Sequence, residues 1–215
     1  LETIFSRYGR KPFKDNYGDA DDWAKLHPDE TSGLVYHGQK HSQEVGEEAY
    51  KFANHRGLDS KDSQLIGEVA LAHDLDPLRK VGTPARVEET VKLLEDGFNG
   101  KGQLAGLVQN KFGWSKRDKD IAIAMIRRTQ FPLDETAINL YKQSLAKLSP
   151  SDQAFVLREG AFLSEYADKC SGYCVNQFES SWKTVQGLAN EMRAVGAPVD
   201  SVRKLDTPNF LENNI

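Results

Sequence analysis

The sequence predicts an all-α fold on three observations: apolar residues recur at helical spacing from Gly33 onward, alternating β-branched runs of the strand type are scarce, and helix caps punctuate the chain. Thr83-Pro84 and Ser149-Pro150 read as helix starts. A hydroxyl there supplies an acceptor for the free N–H groups of a first turn, and proline is tolerated at that point. Gly57, Gly97, Gly172 and Gly196 read as helix ends, because glycine accepts the left-handed conformation that commonly closes a helix. Together these signals place helices near 37–55, 60–74, 84–96, 118–128, 134–147, 151–172, 176–195 and 201–206, with the glycine-rich stretch 97–102 as a flexible connection. Residues 1–32 mix Gly, Pro, Asp and aromatic residues without sustained periodicity. They are expected to form an extended N-terminal arm, pinned by Phe13 and Trp23, ahead of one helical bundle over residues 33–215.

Composition bounds the function classes. The 215 residues are 39% hydrophobic and 28% charged, enough for one real core beneath a solvated surface. A net charge of -4 and a pI near 5.8 argue against an extended nucleic-acid surface, so any phosphate site has to be local. No run approaches about 18 apolar residues, and no basic stretch followed by an apolar segment opens the chain, which predicts no membrane span, no signal peptide and a cytoplasmic protein. Cys170 and Cys174 lack the tight spacing of redox or zinc motifs and read as reduced, small hydrophobes on one helical face.

The five histidines all fall within the first 73 residues, and three of them form two constellations: Tyr36-His37-Gly38-Gln39-Lys40-His41 and Ala72-His73-Asp74-Leu75-Asp76. On a helix, His37 and His41 would project from one face about a turn apart and could address one site. His73 and Asp74 would splay on a regular helix, but they follow the apolar helix Ser63–Ala72, which ends near Pro77, and neighbouring ligands at a helix end can converge. Imidazole plus carboxylate suits zinc, manganese or iron, and a carboxylate can bridge to a harder second ion such as magnesium. Asp168, a lone acid in a mostly apolar segment, is the candidate to complete the set. Each piece alone has an ordinary explanation as a surface or satisfied core residue. Their joint placement on apolar helices is different, because burying His and Asp without a partner is costly.

The ordered pattern His41…His73-Asp74…Asp168 resembles the H…HD…D signature of the HD-domain phosphohydrolases. Tyr36-His37-x-x-x-His41 followed by Val45 is similar to the YHNxxHxxxV helix of the cyclic-nucleotide phosphodiesterases, with Gly38 where that family has Asn, and Ala167-Asp168-Lys169 is similar to the closing motif of many HD proteins. The resemblance spans roughly residues 33–175. It implies a single helical HD-domain bundle in which His41, His73, Asp74 and Asp168 bind a divalent metal, Asp74 bridges to any second ion, and His37 is the general acid for the leaving oxygen. HD-GYP cyclic-dinucleotide hydrolases and HD-type oxygenases resemble the chain only in part, because they use further histidines after the HD pair and none follows His73.

Such a centre would hydrolyse phosphoesters, because a metal makes water nucleophilic near neutral pH and neutralises phosphate charge. Protonation of the departing alkoxide gives His37 a role distinct from ligation. Arg127 and Arg128, at the end of the apolar helix Ile121–Ile126, are candidates to hold the phosphate, with Lys169 and Arg79 behind them. The expected activity is hydrolysis of a small phosphorylated substrate, a nucleotide or cyclic nucleotide, by a metal-activated water. A nucleoside monophosphate or other phosphomonoester is the nearest alternative, and a non-catalytic metal-bearing regulatory module the rival of another class.

Overall fold

A computed structural model describes residues 34, 36–76, 79, 82, 86–102, 104–130, 134–163, 167–168, 178–200 and 202. The expected arm 1–32 with Phe13 and Trp23, the start at Thr83-Pro84, and Lys169, Cys170, Gly172 and Cys174 lie outside the described residues. The architecture is all-α, with no strand among the described residues. In chain order the helices are α1 (Gln39–His55), α2 (Ser60–Ala72), α3 (Val87–Phe98), a π-helical segment (Leu107–Phe112), α4 (Lys116–Arg128), α5 (Glu135–Ala146), α6 (Pro150–Phe162) and α7 (Phe178–Ala194).

Two helices are buried almost all round. In α2, Leu65 through Ala72 are all buried, and in α4 so are Ile121 through Ile126. Helices this apolar need neighbours on several sides: α1 packs along α2, while α4 touches α2, α3, α5 and α6. The core runs from Val45, Ala49 and Ala53 of α1 to Phe155 and Val156 of α6, continuing into Leu163 and Ala167. Each of its fully buried Leu, Ile or Met side chains contributes about 1.5–3 kcal/mol relative to exposure. A smaller cluster joins Val185 and Ala189 of α7 to Tyr36 and Val202. No described helix is long and apolar enough to cross a membrane.

Local chemistry explains the boundaries. Asp59, Asp134 and Ser149 each accept a backbone N–H of the first turn that follows, with Pro150 in the first turn of α6, and Ser115 and Asp118 form a reciprocal capping box on α4. Gly57 and Gly196, at φ 81° and 76°, follow α1 and α7 as their sequence positions suggest. Gly97 does not end its helix. It lies inside the last turn of α3, where a Cβ would stand 2.8 Å from Leu104 Cβ, so the missing side chain serves close packing rather than termination. The helix start expected at residue 37 is also displaced, to Gln39, with Gly38 extended at the N-cap. The π-helical segment has no counterpart in the sequence reading.

Candidate metal centre

His73 caps the C-terminus of α2. Its Nδ1–H donates to the Ala70 carbonyl at 2.6 Å, alongside the longer bond from the His73 backbone N–H, and leaves Nε2 as the nitrogen available to a metal. Because the helix stops at Ala72, Asp74 is not splayed away: its Oδ2 comes within 3.0 Å of His73 Nε2 and 3.8 Å of His41 Nε2. His41, in the first turn of α1, places Nε2 3.0 Å from Asp168 Oδ1, which lies 3.7 Å from His73 Nε2.

Three segments distant in sequence therefore converge. One ligand atom each from His41, His73 and Asp168 lie within 4.8 Å of one another, a group that could hold a metal ion. The donor chemistry fits: two imidazole nitrogens and a carboxylate form a borderline-hard set. Unmet polarity fits as well, since His73 Nε2 and Asp74 Oδ2 are buried without a hydrogen-bond partner, their 3.0 Å approach being misaligned for one. His41 Nδ1 is buried and unpartnered too, so this imidazole has no outer hydrogen bond to orient it. Tyr36 packs over the His41 ring at 4.3 Å between centroids and directs its hydroxyl toward the Asp168 carbonyl.

His37 lies beside this group but off the helix that carries His41. The helical-face relation expected from their spacing is replaced by a turn over Tyr36–Gly38, which still brings the two rings within 5.8 Å. Glu191 of α7 holds that turn. One carboxylate oxygen accepts the Tyr36 N–H at 2.6 Å and the His37 N–H at 3.4 Å, and the other lies 2.6 Å from His37 Nδ1. Burial raises the Glu191 carboxyl, but His37, the Tyr36 N–H and Arg79 outweigh burial and hold it below its usual range.

The sequence reading missed Glu191 because it sits 154 residues from His37. The one signal available was its place a turn after buried Gly187, beside the Val185/Ala189 face. Of the proposed phosphate-holding residues, Arg127 is engaged by Glu88 at 2.8 and 2.7 Å and by the Ser144 hydroxyl at 2.7 Å, and is not brought to the cluster. Arg128 neighbours Tyr141 on α5. Arg79 does reach the centre, with Nη2 3.3 Å from His37 Nδ1 and Nη1 3.9 Å from Asp74 Oδ1. Asp76 is occupied by a two-pronged pair with Arg86 at 2.9 and 2.7 Å. A cleft of about 650 Å³ opens on other residues, including Tyr50, Lys61, Glu68, Trp114 and Asp118. Its carboxylates serve the fold, Glu68 accepting Trp114 Nε1 and Asp118 capping α4.

Titration of the cluster has a definite direction. Burial disfavours the His73 imidazolium, but Asp74 and Asp168 outweigh burial and raise it well above the ordinary value. Burial likewise raises both carboxyls, and the histidines outweigh it: His73 first for Asp74, His41 and His73 for Asp168, so both acids stay ionised far into the acid range. In metal-free protein the His73 contribution to stability is complete below about pH 6.5 and disappears as pH rises through the raised value. The carboxylate contributions are present above about pH 4 and lost as pH falls through the depressed values. A metal bound at His73 Nε2 would displace its proton, so apparent affinity should rise about tenfold per pH unit per displaced proton for as long as His73 is protonated, a range that extends above about pH 6.5. Competition titrations with a chelating dye check this, and a flat profile above pH 6.5 would remove His73 from the ligand set.

Compared with known proteins, the chain matches no family model, no curated protein and no solved structure.

Proposed function

We propose that this chain is a metal-dependent phosphohydrolase of the HD type, acting on a small phosphoester with a nucleotide or cyclic nucleotide as the favoured class. One observation carries the proposal: His41, His73 and Asp168 converge on one point beside a separate imidazole, His37, whose Nδ1 is held by Glu191. His41, His73 and Asp168 would hold a zinc, manganese or iron ion, with Asp74 as a further ligand able to bridge to a second ion such as magnesium. When bound, the ion supplies Lewis acidity, lowering the proton affinity of water and offsetting phosphate charge.

The protein's own groups do the rest. Glu191 accepts from His37 Nδ1–H, which leaves Nε2 as the nitrogen available for proton transfer. Hydrolysis forms a bond from the water oxygen to phosphorus and breaks the bond to the leaving oxygen. For this step His37 has to enter as the imidazolium, with Nδ1–H kept on Glu191; its Nε2–H proton passes to the leaving oxygen, and the proton released by the water restores it over the cycle. The buried surroundings of His41 and His73 limit competing water.

The test is turnover by the metal-analysed full chain on nucleoside monophosphates, cyclic nucleotides, p-nitrophenyl phosphate and bis(p-nitrophenyl) phosphate. Hydrolysis of at least one class is expected, abolished by a chelator and restored by the metal. No turnover of any of them by folded, metal-replete protein would leave a binding module in place of an enzyme.

A further inference from the structure

Arg79 is 7% exposed, and a guanidinium so deeply placed ordinarily sits in a two-pronged pair with a carboxylate. Arg86 makes such a pair with Asp76, and Arg127 with Glu88. Arg79 does not. Its Nε is buried without a partner. Its Nη2 lies 3.3 Å from His37 Nδ1, a nitrogen that already gives its proton to Glu191 and so offers no lone pair. Among the described residues its one ion pair is the 3.9 Å approach of Nη1 to Asp74 Oδ1, beyond hydrogen-bond length. Leaving the Nε donor unmet in a buried position is costly unless an acceptor from outside the chain meets it.

Position identifies that acceptor. The guanidinium is wedged between His37 and Asp74, so it borders both the candidate acid and the candidate metal ligands. The geometry points to Arg79 as the residue that holds a tetrahedral oxyanion, the phosphoryl group of the substrate, between His37 and the metal centre. The assignment deepens the phosphohydrolase reading of the same site and rests on it for the identity of the anion. A planar fork matches two phosphate oxygens at once, whereas Lys would offer a single point charge. Arg79 thus displaces Arg127, whose fork is filled by Glu88, as the phosphate-holding side chain.

The experiment titrates inorganic phosphate into the metal-loaded full chain by calorimetry, with metal content and melting temperature measured on every sample. Arg79→Gln should weaken phosphate binding about 10–100-fold with metal retained, and Arg79→Lys should fall between it and the wild type. Lys142→Ala, which removes an exposed cation on α5, should bind as the wild type does. Because Arg79 makes no hydrogen-bonded carboxylate pair, and only longer-range attraction to Asp74 and Glu191 is lost, Arg79→Gln should melt close to the wild-type temperature. A lowered melting temperature with unchanged phosphate affinity would assign Arg79 to charge compensation of Asp74 and Glu191 and overturn the inference. An equal loss in Lys142→Ala would overturn it too, by showing an effect of net charge alone. Should Arg79→Gln not fold, wild-type phosphate affinity in Arg79→Lys is the overturning result. Turnover is read separately: phosphate binding that depends on Arg79 in a protein that hydrolyses no phosphoester upholds the subsite and defeats the hydrolase reading, while turnover with Arg79-independent phosphate affinity does the reverse.

Discussion

His37→Ala is expected to retain its metal and lose on the order of 10²–10⁴-fold in turnover, the usual contribution of a positioned general acid. The separation of roles rests on geometry: Nδ1 of His37 is spoken for by Glu191, while Nε2 of His41 and of His73 share the point where Asp168 Oδ1 sits. A poor leaving group needs its proton as the bond to phosphorus breaks, whereas a nitrophenolate departs with little help. The defect should therefore shrink on p-nitrophenyl substrates and stay large on nucleotides. Glu191→Gln should share part of this pattern, because it removes the charge that orients the imidazole without touching the ligand set. Equal losses on activated and ordinary substrates, or metal loss in His37→Ala, would move His37 from proton transfer to the metal or the architecture.

His73→Ala is expected to remove the metal altogether and to destabilise the metal-free protein as well, by about 3–5 kcal/mol, the usual cost of leaving buried charge uncompensated. His73 is 2% exposed and stands between two carboxylates, with Asp74 Oδ2 at 3.0 Å and Asp168 Oδ1 at 3.7 Å. Deleting it leaves those two acids facing each other, with His41 and the more distant Arg79 and His37 to answer them. Asp168→Ala should also lose the metal but melt closer to the wild type, since the Asp168 side chain is 26% exposed and water can replace part of what it provides. In the wild type, added metal should raise the melting temperature by mass action, and neither variant should respond. Elemental analysis with thermal melts reads both effects. Full metal content in His73→Ala would defeat the ligand assignment.

Much of the helical framework was legible in advance because its signals are local. Ser149-Pro150 opens α6, Gly57 and Gly196 follow α1 and α7, and the runs 65–72 and 121–126 are the buried centre of the bundle. The misreadings are also local in form but not in cause. Gly97 looks like a terminator and is instead a packing contact for Leu104, a residue whose approach no short window of sequence reveals. His37 looks like a helical residue a turn before His41, yet the turn it occupies is set by a carboxylate from α7.

The sequence by itself determined the all-α class and most helix positions, since capping, glycine conformation and apolar periodicity act over a few residues. It also singled out His41, His73 and Asp168, because imidazole and carboxylate set in apolar helices demand a partner wherever they meet. Only the tertiary structure decided which charges meet at the centre. It brought Glu191 onto His37 across 154 residues, closed the forks of Arg127 and Arg86 on carboxylates, and left that of Arg79 open beside Asp74. The reason is physical: a cation in sequence carries no mark of whether a carboxylate will reach it, since that depends on helix packing over distances that local chemistry does not encode.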